Sequence, residues 1–239
     1  MRKIPRETEV VVIGAGIAGA MTAYFLAKRG VPVVVCEKGR VAGEQSSRNW
    51  GFVRKQGRDP REMPAIIESL RIWEGLEQEL GEDIGWHQGG SLYLAENDAD
   101  LADYERWLGF AREYQLDTRL LSPDEVDEQI GGEGRRWRGG LFTPSDGRAE
   151  PGKAVPAVAR AVERMGGTVL TECAVRTVEQ AAGKDTGGGC GTAEALGGPV
   201  EGWDNPLRRL LAQPDENDGR AARSLLASAL AAVEAEVLR

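Results

Sequence analysis

The chain has 239 residues, a hydrophobic content of 41% and a formal net charge of -8. This length allows one large domain or two small ones with a substantial core. The acidic balance argues against nucleic acid binding, which requires basic patches. The short, charged segment Met1–Glu9 and the lack of any long apolar run predict a cytoplasmic protein with no signal peptide and no membrane span.

Few residues point to catalysis or metal binding. The cysteines Cys36, Cys173 and Cys190 do not have the spacing of a metal site or a disulfide framework. The single histidine, His87, is expected to be a structural or surface residue. No metal is predicted, and catalytic residues stay unknown at this stage.

The N-terminal segment combines a strand, a glycine turn and a helix. Val10–Ile13 is a β-branched run typical of a strand buried on both faces. In the turn that follows, Gly14 allows the tight bend, Gly16 lets the backbone approach a pyrophosphate, and Gly19 lets helix and strand pack closely. The turn residues expected at the cofactor are Gly14, Gly16, Ile17, Ala18 and Gly19.

A second β-branched run ends on an acid, Glu37, about 18 residues after Gly19. A carboxylate at this position accepts hydrogen bonds from ribose hydroxyls and repels a 2′-phosphate. The sequence therefore predicts a βαβ unit that binds FAD or NAD rather than NADP.

A polar loop follows, in which hydroxyls, an amide and arginines lie between apolar elements. These groups suit phosphates and the polar edge of a ring system, although a plain surface loop is the alternative. The candidate residues are Ser46, Ser47, Arg48 and Asn49.

The βαβ unit and this loop together resemble FAD-dependent oxidoreductases of the D-amino acid oxidase family, which includes glycine and sarcosine oxidases and D-amino acid dehydrogenases. The resemblance implies that the loop wraps the flavin and that Ser46, Ser47 and Arg48 contact the cofactor. It also implies that Val175 contacts the adenine through its backbone. Lys38 and Asn49 are assigned to the same site.

The family resemblance implies an α/β fold in two lobes. A Rossmann-like FAD-binding lobe with a parallel sheet is expected at 1–60 and 150–180, with a partial, mostly antiparallel substrate lobe at 61–149. Spacing and capping signals predict the helices. They are Pro64–Leu80, Asp98–Tyr114, a short helix to about Gln129, and 152–165.

The likeness is expected to end near Gln180, so the chain looks C-terminally truncated. Residues 181–239 are predicted to form a glycine-rich linker and a C-terminal helix, Gly219–Leu238, through which the chain could form an oligomer.

The resemblance implies oxidation of a small amine or amino acid, with hydride passing to flavin N5 and an imine as product. The substrate carboxylate then needs a cationic clamp, for which Arg48 and Arg54 are the nearest candidates. Two alternatives stay open: a catalytically silent dinucleotide-binding fragment, and an NAD-dependent dehydrogenase.

Overall fold

The computed structural model describes residues 5, 7–131, 137–181 and 184–191, with side chains up to Val178. The helices are α1 (Ile17–Lys28), α2 (Gln45–Arg48), α3 (Met63–Leu80), α4 (Asp98–Glu113), α5 (Pro123–Ile130) and α6 (Pro151–Arg164). The strands are β1 (Val10–Ile13), β2 (Val33–Cys36), β3 (Phe52–Val53), β4 (Ser91–Ala95), β5 (Arg119–Leu121), β6 (Gly139–Thr143), β7 (Gly147–Arg148), β8 (Thr168–Leu170), β9 (Ala174–Ala181) and β10 (Lys184–Gly191). None of the described helices is both long and apolar enough to cross a membrane.

The described chain forms two compact units. The first unit contains the residues up to Trp50, the short segment Gln78–Ile84 and the residues from Glu150 onward. The second unit contains Gly51–Glu77 and Gly85–Ala149. The lobe boundaries expected from the sequence stay a prediction.

The first unit is built on a parallel sheet with strand order β1-β2-β8. β2 lies in the middle and is buried along its whole length, as its β-branched sequence predicts. α1 and α6 pack against each other. α6 has an apolar stripe that includes Val155, Val158 and Val162, all buried as the helical spacing predicts.

The prediction that β1 is buried on both faces is wrong. Val11 and Ile13 are 53% and 56% exposed. They pair with Val34 and Cys36 of β2, which are buried in a cluster with Leu170. β1 is the edge strand among the described residues. On this face of the sheet the buried side chains lie on β2 and β8, whereas those of β1 are exposed.

β9 and β10 form an antiparallel hairpin. The prediction of a flexible linker is therefore wrong for 184–191, because a hairpin is held by backbone hydrogen bonds that glycine can also make. Cys36 is buried and free, whereas Cys173 is disulfide-bonded, a bond that the cysteine spacing did not indicate. The predicted C-terminal helix lies outside the described residues.

The second unit contains an antiparallel sheet with strand order β4-β6-β5 and the helices α4 and α5. The capping box predicted at the start of α5 is present. The Ser122 hydroxyl accepts from the Glu125 backbone N–H at 3.3 Å, and the Glu125 carboxylate accepts from the Ser122 N–H at 2.8 Å. Gly131 ends this helix in the left-handed conformation.

Candidate dinucleotide site

The turn between β1 and α1 requires its glycines. Gly14 has a φ of +98°, which side chains rarely adopt. A Cβ at Gly19 would lie 2.0 Å from the Gly14 carbonyl oxygen, so only glycine allows the helix to pass this close to the turn. The structure therefore supports the conformational roles that the sequence predicts for these two residues.

The first turn of α1 points unpaired N–H groups out of the helix, as every helix start does. Its N-cap is Gly16, which provides no side-chain cap. Instead, the Ser46 hydroxyl accepts a hydrogen bond from the Ile17 N–H at 2.8 Å. A Cβ at Gly16 would lie 3.1 Å from this hydroxyl, so glycine leaves room for Ser46 to reach the helix start.

Glu37 directly follows β2, and its carboxylate is directed at the glycine turn. One carboxylate oxygen accepts from the Ala15 N–H and the other from the Gly39 N–H, both at 2.8 Å. The Glu37 backbone is fixed by the β8 side of the sheet, through Leu170 and Cys173. Each carboxylate oxygen keeps a second lone pair for a ligand hydroxyl.

The predicted loop begins with the short helix α2, which the sequence did not predict. Lys38 forms an exposed ion pair with Glu44 at 2.7 Å, and this hydrogen bond raises the pKa of Lys38 and lowers that of Glu44. The Ser47 hydroxyl donates to the Glu44 carbonyl, and the Asn49 amide donates to the Ser46 carbonyl, both at 3.1 Å. Arg48 is exposed on α2.

These elements surround one cavity of about 420 Å³. Six of the predicted cofactor residues line it, namely Gly14, Gly16, Glu37, Lys38, Ser46 and Val175. The other six, Ile17, Ala18, Gly19, Ser47, Arg48 and Asn49, are not among its lining residues.

Sequence reasoning missed several residues of this cavity. Ala42 has a φ of 57°, and its N–H donates to the Ala15 carbonyl at 2.9 Å, so it joins the segment 38–43 to the glycine turn. Arg176 follows Val175 in β9 and adds a cation to the lining. The two glycines of this segment, Gly39 and Gly43, are the local signal that the chain bends back here.

A glycine turn, a helix start with glycine as its N-cap and a strand-end carboxylate at one cavity define a dinucleotide-binding α/β protein. The family described as FAD dependent oxidoreductase (DAO) matches residues 9–198. The chain belongs to this family. The match runs past Gln180, where the resemblance was expected to end, and includes the β9–β10 hairpin.

Known relatives agree with this assignment. The chain is 30% identical to human mitochondrial sarcosine dehydrogenase over 73% of its own length and 19% of that protein. It is 32% identical to sarcosine oxidase subunit beta of an Arthrobacter species, over 70% of this chain and 43% of the relative. The L-amino acid deaminase structure from Proteus myxofaciens matches with a TM-score of 0.76 and 30% identity, over 80% of this chain and 44% of the other. The chain thus spans less than half of each of these proteins.

FAD is the cofactor of this family, and the residues present fit its ADP part. At the start of α1, Gly16 brings no side chain, and the N–H groups of the first turn can receive an anion beside the Ser46 hydroxyl. The Glu37 carboxylate lines the same cavity, as a ribose ligand must. Val175 of β9 lines the same cavity.

The second unit holds the sequence-predicted Arg54. Its guanidinium lies over the Tyr93 ring, 5.7 Å from the centroid, and donates to the Gln56 carbonyl. Arg54 as a carboxylate clamp stays a prediction. Trp73 and Trp86 stack at 6.2 Å, and the Trp107 indole donates to the Arg58 carbonyl at 3.2 Å.

A buried polar network, which the sequence pattern does not predict, lies beside Arg54. Asp146 is fully buried and accepts from the backbone N–H groups of Lys55 at 2.8 Å and Gln56 at 3.1 Å. The Lys55 ammonium donates to the Ser145 hydroxyl at 2.6 Å and lies 3.8 Å from Asp146. Thr143 donates to the Gln56 side chain at 2.7 Å.

Proposed function

We propose that this chain is the FAD-binding part of an oxidoreductase that oxidises a small amine or amino acid. The observation that carries the proposal is the shared cavity of the glycine turn, the α1 start and Glu37. The relatives named above act on sarcosine or amino acids, according to their names. Membership in the FAD-dependent family favours FAD over NAD.

Each part of the site has a role in holding the cofactor. The glycine turn at Gly14 and Gly16, together with the first turn of α1, receives the pyrophosphate. Glu37 accepts hydrogen bonds from the ribose hydroxyls. The backbone of Val175 contacts the adenine. The remaining proposed contacts come from the α1 turn and from the loop that follows β2. They are Ile17, Ala18, Gly19, Lys38, Ser46, Ser47, Arg48 and Asn49.

When bound, the flavin supplies the two-electron oxidation of the carbon next to the substrate nitrogen. The protein has to place the substrate, exclude water and hold any carboxylate in a fixed orientation. An arginine suits the last task because its planar fork matches a carboxylate. Arg54 stays the residue that we propose from the sequence for this role.

The proposal is tested by adding FAD to the purified 239-residue chain, desalting it and recording the visible spectrum. We expect a retained flavin spectrum in the wild type and a large loss of FAD affinity in Glu37→Gln, which removes the charge of the ribose ligand. Glu172→Gln is the matched control, because Glu172 is exposed and outside the cavity. A chain that retains NAD but not FAD contradicts the proposal.

A chain that retains FAD is then assayed with N-methylglycine, glycine and D- and L-amino acids. Flavin reduction by one of these supports the oxidoreductase. Retained flavin without reduction by any of them favours the catalytically silent fragment, for which the partial coverage of the relatives is the supporting observation. The cytoplasmic location and an oligomer through the C-terminal helix stay predictions.

A further inference from the structure

Three side chains of the second unit form a row across neighbouring extended segments. Phe52 of β3 pairs with Arg148 of β7, and Arg148 pairs on its other side with His87 through an antiparallel bridge. His87 and Arg148 exchange two backbone hydrogen bonds, at 2.8 and 2.9 Å. Directly paired residues point to the same face of a sheet. The ring, the guanidinium and the imidazole therefore share one face.

This face points to solvent, and the opposite face points into the second unit. Gly147, the neighbour of Arg148, faces inward, because a Cβ there would lie 2.8 Å from the Trp86 ring. Side chains alternate along a strand, so Arg148 points the other way. Phe52 is 62% exposed, and His87 and Arg148 are also exposed.

The Arg148 guanidinium has no protein partner among the described residues. Two other exposed arginines of this unit are paired, since Arg119 contacts Glu125 at 2.9 Å and Arg138 contacts Asp98 at 2.6 Å. Arg148 thus presents a cation between an aromatic ring and an imidazole, and no carboxylate of the described residues pairs with it. Such a position is complementary to an anion that is not part of the chain.

We propose that Phe52, His87 and Arg148, here called the Arg148 row, bind the carboxylate of a small organic acid. The guanidinium fork accepts a carboxylate in two parallel hydrogen bonds, and an imidazole N–H provides a further donor. The Phe52 ring offers an apolar surface to the carbon atoms next to the carboxylate. This inference rests on the proposed function, because the organic acid is taken to be the amino acid substrate. Arg148 is a cationic residue that the sequence analysis did not select for this role.

The test uses the one histidine of the chain as a reporter. The NMR signal of its Cε1–H is followed in the full-length chain without FAD, at constant ionic strength. The probes are N-methylglycine and acetate, with dimethylamine as the probe that lacks a carboxylate. We expect saturable shifts of the His87 signal with the two carboxylates and none with dimethylamine.

The variants separate specific binding from general charge effects. Arg148→Gln is expected to weaken carboxylate binding at least about tenfold, because it removes a charge-assisted pair of hydrogen bonds. Arg148→Lys keeps the charge but not the fork and should fall between this variant and the wild type. Arg71→Gln, an exposed arginine on α3, is the matched control and should bind as the wild type does.

No saturable shift with either carboxylate, or equal binding by Arg148→Gln and the wild type, would overturn the inference. Because FAD is absent, this result is independent of flavin retention. A chain that fails to retain FAD but binds carboxylates through Arg148 would contradict the proposed function and leave the carboxylate site standing.

Discussion

The glycine turn of the first unit and the β3–β7 strand pair of the second unit are held in different ways. The turn is fixed by backbone contacts and by glycines that no side chain could replace. The strand pair is fixed by the buried Asp146 carboxylate, which accepts from the Lys55 N–H although the two residues are 91 positions apart. A site built from the backbone can be predicted from local spacing, whereas one built from distant side chains cannot.

The largest effect is expected from a substitution that disrupts the glycine turn. Gly19→Ala places a Cβ 2.0 Å from the Gly14 oxygen. We expect loss of FAD retention and a free energy of unfolding lower by about 4 kcal/mol, above the usual range of about 1–3 kcal/mol for overpacking. Urea unfolding and FAD fluorescence measure the two effects.

Gly75→Ala is the matched control for this change, because Gly75 is also helical and its Cβ would meet nothing within 4 Å. It should be neutral or stabilise the chain by up to about 1 kcal/mol through helix propensity. If Gly19→Ala and Gly75→Ala unfold at the same urea concentration, the close packing at Gly19 is not required.

The next largest effect is expected from a substitution that disrupts the buried Asp146 network. Asp146→Ala leaves the buried Lys55 ammonium and two backbone N–H groups without their acceptor. We expect a loss of about 3 kcal/mol in the free energy of unfolding, as for other buried pairs that lose one partner. FAD binding should persist, since Asp146 belongs to the second unit.

Asp98→Ala serves as the control, because its ion pair with Arg138 is exposed and should matter little. Hydrogen exchange provides a second measurement for Asp146→Ala, in which the amides of Lys55 and Gln56 should lose their protection. Unchanged protection at these amides would show that the strand pair does not depend on the carboxylate.

Much of the fold was predictable because it is encoded over short distances. The glycine turn, Glu37 at the end of β2 and the capping box at Ser122 all follow from spacing. The exposed face of β1 could not be predicted, because a β-branched run indicates a strand but not how many neighbours cover it. The Asp146 network and the Arg148 row depend on pairings between segments that are far apart in the sequence.

A smaller effect is expected from a side chain that supports the glycine turn and the start of α1. Ser46→Ala removes the acceptor of the Ile17 N–H and should cost about 1 kcal/mol, as the loss of a helix cap does. Ser47→Ala is the control, because its hydroxyl donates only to the nearby Glu44 carbonyl. Thermal unfolding compares the two variants, and equal melting temperatures would show that Ser46 does not support α1.

The last prediction concerns pH and the charge of Asp146. Burial raises the pKa of Asp146 above 3.8, although the Lys55 and Gln56 N–H groups and the Lys55 ammonium act to lower it. The folded chain therefore binds this proton more tightly than the unfolded chain does. The stability that this proton provides is present below the ordinary pKa and is lost as pH rises through the folded-state value.

Asp146→Asn removes this titration, so the free energy of unfolding of the wild type should fall more steeply with rising pH than that of the variant over this range. Urea unfolding of both proteins at a series of pH values measures the difference. A wild type that instead gains stability relative to Asp146→Asn would mean that the hydrogen bonds and Lys55 outweigh burial. In that case the ionised carboxylate would hold the two strands more firmly than the protonated one.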